Sequence, residues 1–85
     1  MDVWILTIET EQGTDEPRVF STEKKGLAFA AAFIKETIAE DGTDTKDWHS
    51  CVNELLSREN IRGAINLFNQ RHYDSTVLVY DVEVE

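Results

Sequence analysis

VWILTIETEQ, residues 3–12, is the stretch on which the fold turns. Successive side chains of a strand point to opposite faces, so Trp4, Leu6 and Ile8 form one row. Val3, Ile5, Thr7 and Glu9 form the other. Both rows begin apolar, which predicts a strand at the centre of a sheet. Turn chemistry follows in GTDEP, residues 13–17. Gly13 tolerates positive φ, and Pro17, lacking an N–H, suits the first position of a strand. RVFS, residues 18–21, then reads as a short second strand, closing a hairpin with a loop of about five residues.

The chain closes on TVLVYDVEVE, residues 76–85. Its even row (Leu78, Tyr80, Val82, Val84) is apolar throughout, whereas its odd row starts with Val77 and Val79 and ends in Asp81, Glu83 and Glu85. The simplest arrangement sets this strand beside the first, with both even rows turned towards the helices. Val3, Ile5, Val77 and Val79 would then form an outward apolar patch. Glu9, Asp81, Glu83 and Glu85, with Glu11 nearby, would form an outward acidic array.

Helices occupy the middle. Ser21 or Thr22 caps the first, which runs from about residue 22 to 40 and ends near Gly42. Leu27, Ala31, Ile34 and Ile38 recur at helical spacing as its core stripe. Asp44 or Thr45 caps the next, in which Trp48, Cys51, Val52, Leu55 and Leu56 follow the i, i+3, i+4, i+7, i+8 pattern. Asn60 is placed to cap a third, with Ile61, Ala64, Ile65 and Phe68 on one face. Whether 45–71 forms two helices or one bent one is open. The predicted fold is a single α+β domain over residues 1–85, a two-layer sandwich of order β-β-α-α(-α)-β. Its sheet has three antiparallel strands with the first one central, and its helices pack on one face.

Seventeen acidic residues stand against eight Lys and Arg in 85 residues, a net charge of −9. Such a surface repels nucleic-acid phosphates and anionic lipid, so neither is an expected partner. Acidity also keeps small domains soluble, but it attracts a protein with a basic surface. One cysteine excludes an internal disulfide and suits a reducing compartment. No basic–apolar leader or membrane-length apolar run is present, so the expected location is cytoplasmic.

Few residues carry chemistry. His49, Cys51 and His72 lack the spacing of a metal motif, and Cys51 fits the buried stripe of its helix. The acids of the last strand would sit about 6.5–7 Å apart, without a loop to wrap a cation. No Gly-rich phosphate loop or nucleophile motif occurs, every acid falls on a polar face, cap or turn, and short elements leave little room for a pocket of ~300 Å³. The chain therefore reads as no enzyme, with no cofactor. Phe29 and Phe33 lie off the core stripe of their helix. Phe33 is expected between helices, and Phe29 either packs there too or anchors a partner among small residues.

VWILTIETEQGTD, VFSTEKKGLAFAAAFIKE and the closing VYDVEVE resemble segments of small uncharacterised acidic proteins carried by phages, plasmids and bacterial genomes. In size and acidity the chain is also similar to phage inhibitors, including anti-CRISPR and DNA-mimic proteins. The resemblance implies a non-enzymatic interaction module, an inhibitor or regulator, and carries over no functional residues. The acidic row itself, Glu9, Glu11, Asp81, Glu83 and Glu85, is the surface expected to dock on a basic, nucleic-acid-handling protein. The carboxylate spacing, close to that of phosphates along one nucleic-acid strand, suits such a surface. The outward valines and isoleucine point to a homodimer. The competing reading is a small-ligand or metal-binding domain built around His49 or His72.

Overall fold

A computed structural model describes residues 2–10, 12–40, 47–72 and 75–83. The order is β1 (Asp2–Thr10), β2 (Gly13–Thr14), β3 (Arg18–Phe20), α1 (Glu23–Glu40), α2 (Asp47–Ser57), α3 (Ile61–Arg71) and β4 (Ser75–Glu83). Over the described residues the fold is α+β, with three helices and an open four-stranded antiparallel sheet. β1 is central, as its two apolar rows require: β4 pairs along its whole length on one side, and β2 and β3 pair in tandem on the other.

The hairpin is tighter than expected. Gly13 already pairs with Thr10, and Thr14 with Glu9, so pairing resumes at Gly13 rather than at residue 18. Gly13 has φ +126, a conformation that a Cβ would strain. Thr10 Oγ1 donates to the Gly13 carbonyl at 3.1 Å and accepts from the Gln12 N–H at 3.2 Å. Between the Glu9–Thr14 and Leu6–Arg18 pairs, three steps on β1 match four on the other strand. That extra residue is a bulge beside Pro17, and it separates β3, the expected second strand, from β2, a paired stretch where the sequence suggests only a turn.

Thr22, not Ser21, caps α1: its Oγ1 accepts from the Lys25 N–H at 3.2 Å. The buried row of α1 is Gly26, Ala30, Ile34 and Ile38, while Leu27 and Ala31 are only half-buried. Gly26 sets this. A Cβ there would lie 3.5 Å from Phe20 Cδ2 and 3.5 Å from Val79 Cγ1, so the glycine marks the close approach of helix to sheet.

Of the stretch 45–71, the described residues 47–71 form two helices. Asn60 N–H donates to Leu55 O at 2.9 Å and Glu59 N–H to Leu56 O at 3.1 Å, the paired bonds of a Schellman stop to α2. Glu59 takes the left-handed position with φ 60. Asn60 then caps α3, its Oδ1 accepting from the Gly63 N–H at 3.1 Å. The caps expected for α2, Asp44 or Thr45, and the stop near Gly42 lie outside the described residues. α1 and α3 cover one face of the sheet, and α2 packs on α3 and α1. Phe68, Leu6, Ile34, Val52 and Val77 are the largest fully buried side chains of the core between them.

The register reverses the expected orientation of the last strand. Leu6 pairs with Val79 and Ile8 with Val77, so even residues of β1 share a face with odd residues of β4. Val77 and Val79 are therefore buried beneath the helices, and Leu78, Tyr80 and Val82 lie outward. The two rows of β4 are similarly apolar where the helices cover them, so hydrophobicity does not choose between them. The smaller valines are the ones that meet the helix, Val79 lying against Gly26 of α1.

Candidate interaction surfaces

The predicted acidic array does not form as one surface. Glu9 lies on the outer face, opposite Thr76 and Thr14. Asp81 lies opposite Trp4, and Glu83 opposite Asp2, on the helix-side face at the far end of the ladder. Five steps along a strand separate Glu9 from Asp81, on the order of 16 Å, and they point to opposite sides. Glu11 and Glu85 lie outside the described residues. What forms instead is a compact acidic end. Asp2 and Glu83 face each other directly, Asp81 sits two residues back, and all three are exposed.

The predicted apolar patch changes membership in the same way. Val3 and Ile5 remain outward, half-buried, but Val77 and Val79 belong to the core. Their places are taken by Leu78, Tyr80 and Val82, which are 43%, 44% and 37% exposed, and by Val19, at 64%. Val19 pairs with Ile5, which pairs with Tyr80; Val3 pairs with Val82. These side chains thus form one continuous apolar surface across three strands. Thr7 and Thr76 continue it, and among the described strand residues Glu9 alone brings a charge to that face.

Both edges of the sheet are closed to a further strand. On β4, Asn69 of α3 stands in for a neighbouring strand. Its Nδ2 donates to Val77 O at 2.8 Å, and its Oδ1 accepts from the Val77 N–H at 2.8 Å. About two turns earlier in α3, Arg62 donates to Val79 O at 2.8 Å and pairs with Glu23 at 3.2 Å, its guanidinium 5.6 Å from the Trp4 ring. Past Val79 the edge carries Asp81 and Glu83, charges that discourage strand addition. The opposite edge is broken at Pro17 into the two residues of β2 and the three of β3. Neither Asn69 nor Arg62 is distinguishable in sequence from any polar residue on a helix surface.

Phe33 meets Phe68 edge-on at 6.3 Å between α1 and α3, as expected. Phe29 turns the other way. Its ring lies 5.7 Å from that of Phe20, with the Arg18 guanidinium 4.6 Å from its centroid. Phe29, Phe33, Leu6 and Ile8 floor a cleft of about 530 Å³ whose wall is Asp15, Glu16, Pro17 and Arg18. The bulge opens this space, so the expectation that short elements leave no such room does not hold.

His49 and His72 are both buried in an aromatic cluster at one end of the helical layer. Trp48 meets His49 at 4.2 Å and His72 at 6.1 Å, and His72 stacks on Phe68 at 4.7 Å. His72 ends α3, its N–H donating to Phe68 O at 2.8 Å. Cys51 is exposed rather than buried, and with Trp48, Leu67 and Arg71 it lines a shallow groove of about 330 Å³. The stripe of α2 rotates accordingly onto Val52 and Leu56, leaving Trp48 and Leu55 half-buried. Among the described residues, no group of three or more His, Cys, Asp or Glu is placed to hold a metal ion. No helix of the described residues is long and apolar enough to cross a membrane. No family model, curated protein or solved structure matches the chain significantly.

Proposed function

We propose that the chain is a non-enzymatic protein-interaction module that docks on a basic protein surface through its acidic end, Asp2, Asp81 and Glu83. The observation that carries this is the direct pairing of Asp2 with Glu83 across the ladder. Like charges directly opposite in an antiparallel pair are destabilising by roughly 0.2–1 kcal/mol, so this pairing does not serve the fold. It does serve association with a cationic surface, which is steered by charge and weakens with salt. A surface that normally holds DNA or RNA has the complementary potential. An inhibitor or regulator of such a protein, of the kind mobile elements carry in the cytoplasm, is the role these residues fit. The test is capture from a lysate of the native host, with the wild-type chain and with Asp2→Asn/Asp81→Asn/Glu83→Gln as baits. The reading expects basic nucleic-acid-handling proteins on the first bait and their loss from the second; equal recovery on both would sink it.

The cleft beneath Phe29 supports a second reading, a binding site for a small ligand with an apolar body and a cationic group facing Asp15 and Glu16. Screening small amphiphilic amines by chemical-shift changes at Phe29 and Phe33 separates the two readings.

A further inference from the structure

We propose that the outer face of the sheet is the interface of a twofold homodimer, in which two copies stack sheet on sheet. Three observations single out a second copy as the occupant. The first is charge. A chain of net charge −9 repels its own copies through any acidic surface. Val3, Ile5, Thr7, Val19, Thr76, Leu78, Tyr80 and Val82 make a face where that repulsion is absent, with Glu9 at its hairpin end. Charge depletion around an aromatic and aliphatic centre is what distinguishes the core of an interface from ordinary surface.

The second is the state of the edges. Asn69 occupies both outward groups of Val77, Arg62 the outward carbonyl of Val79, and Pro17 breaks the other side, so extending the sheet is a disfavoured way for copies to join. Stacking face to face is the association left to this sheet, and its exposed side chains point that way.

The third is size. β1 and β4, nine residues each, and the three residues of β3, at ~3.3 Å per residue and ~4.8 Å between strands, give a face on the order of 330 Å² in plan. The corrugated accessible surface of such a face is larger, within reach of the roughly 600 Å² per partner at the low end of stable interfaces. A twofold axis near Tyr80 and Ile5 would bring each patch onto its copy at the ~10 Å separation of stacked sheets, and would leave both acidic ends on the far, helix-bearing sides. The dimer does not depend on the acidic end having a partner, and it would present that end twice.

The test is sedimentation equilibrium of the full chain at high micromolar concentration, at low salt and near 1 M. The wild type is expected at twice its 9.7 kDa chain mass, with no loss of dimer as salt rises. Leu78→Lys, which sets lysines into the centre of the interface, should weaken the dimer by at least about 100-fold while the circular dichroism spectrum stays unchanged. If Leu78→Lys fails to fold, Val19→Lys, at the most exposed position of the patch, takes its place. A wild type that sediments as a monomer overturns the proposal, as does a folded lysine variant that still dimerises. Assembly only with a foreign protein overturns it too, and leaves the docking of the acidic end to be judged on its own variant.

Discussion

Replacing Asn69 with alanine should be among the most damaging single changes to a partly buried polar side chain in this protein. Asn69 bonds both backbone groups of Val77 at 2.8 Å, and Val77 is fully buried. Each bond contributes about 1 kcal/mol net, and a buried backbone group left without a partner costs about 1–3 kcal/mol. Partial access of water at the edge lowers that sum, so the expected loss is about 2–4 kcal/mol. A domain of this length has a total stability of only about 4–13 kcal/mol, and each kcal/mol moves Tm by roughly 4–8 °C. Asn69→Ala should therefore lower Tm by about 10 °C or more, and urea unfolding followed by circular dichroism gives the free energy directly. Asn69→Asp is the informative control. Its carboxylate still accepts from the Val77 N–H but sets an acceptor against the Val77 carbonyl, so it should lose at least half as much. Both variants should also aggregate faster, because the edge of β4 becomes available to another strand. A change within about 0.5 kcal/mol for Asn69→Ala would refute the role assigned to this side chain.

The glycines of two helices should respond oppositely to alanine. At Gly26 the new Cβ meets its nearest neighbours at ordinary contact distance, so Gly26→Ala should raise stability by about 0.5–1 kcal/mol, read from the urea midpoint. At Gly63 it would lie 2.8 Å from the capping amide of Asn60, so Gly63→Ala should disturb the cap and end no more stable than wild type. Glu59→Gly should gain about 0.5–1 kcal/mol by relieving the left-handed stop of α2, and an equal gain from Glu59→Ala would argue against that cause.

The central strand was legible in residues 3–12 because two apolar rows have one structural meaning. The caps Thr22 and Asn60 and the stripe through Ile34 and Ile38 were legible for the same local reason. The orientation of β4 was not. Val77 and Val79 compete with Leu78 and Tyr80 on nearly equal hydrophobic terms, and the choice appears only in the register with β1, where Val77 meets Ile8 and Val79 meets Leu6. Cys51 was misplaced because an apolar stripe five residues wide is wider than the surface α3 offers to cover it. The hairpin was misread at Gly13 and Thr14, whose turn-like composition conceals a short paired stretch before the Pro17 bulge. At the candidate surfaces, residue types were readable and their grouping was not. The acids, the outward apolar side chains and the edge-closing Asn69 and Arg62 come together only through register, which no single segment contains.

Docking through the acidic end is tested most directly by the association rate between the chain and the protein it captures, measured against salt for the wild type and for Asp2→Asn/Asp81→Asn/Glu83→Gln. Docking through that end predicts a wild-type rate that falls about tenfold or more from low salt to physiological salt, and a variant that starts slow and barely responds. Identical rates and identical salt dependence for the two chains would contradict it.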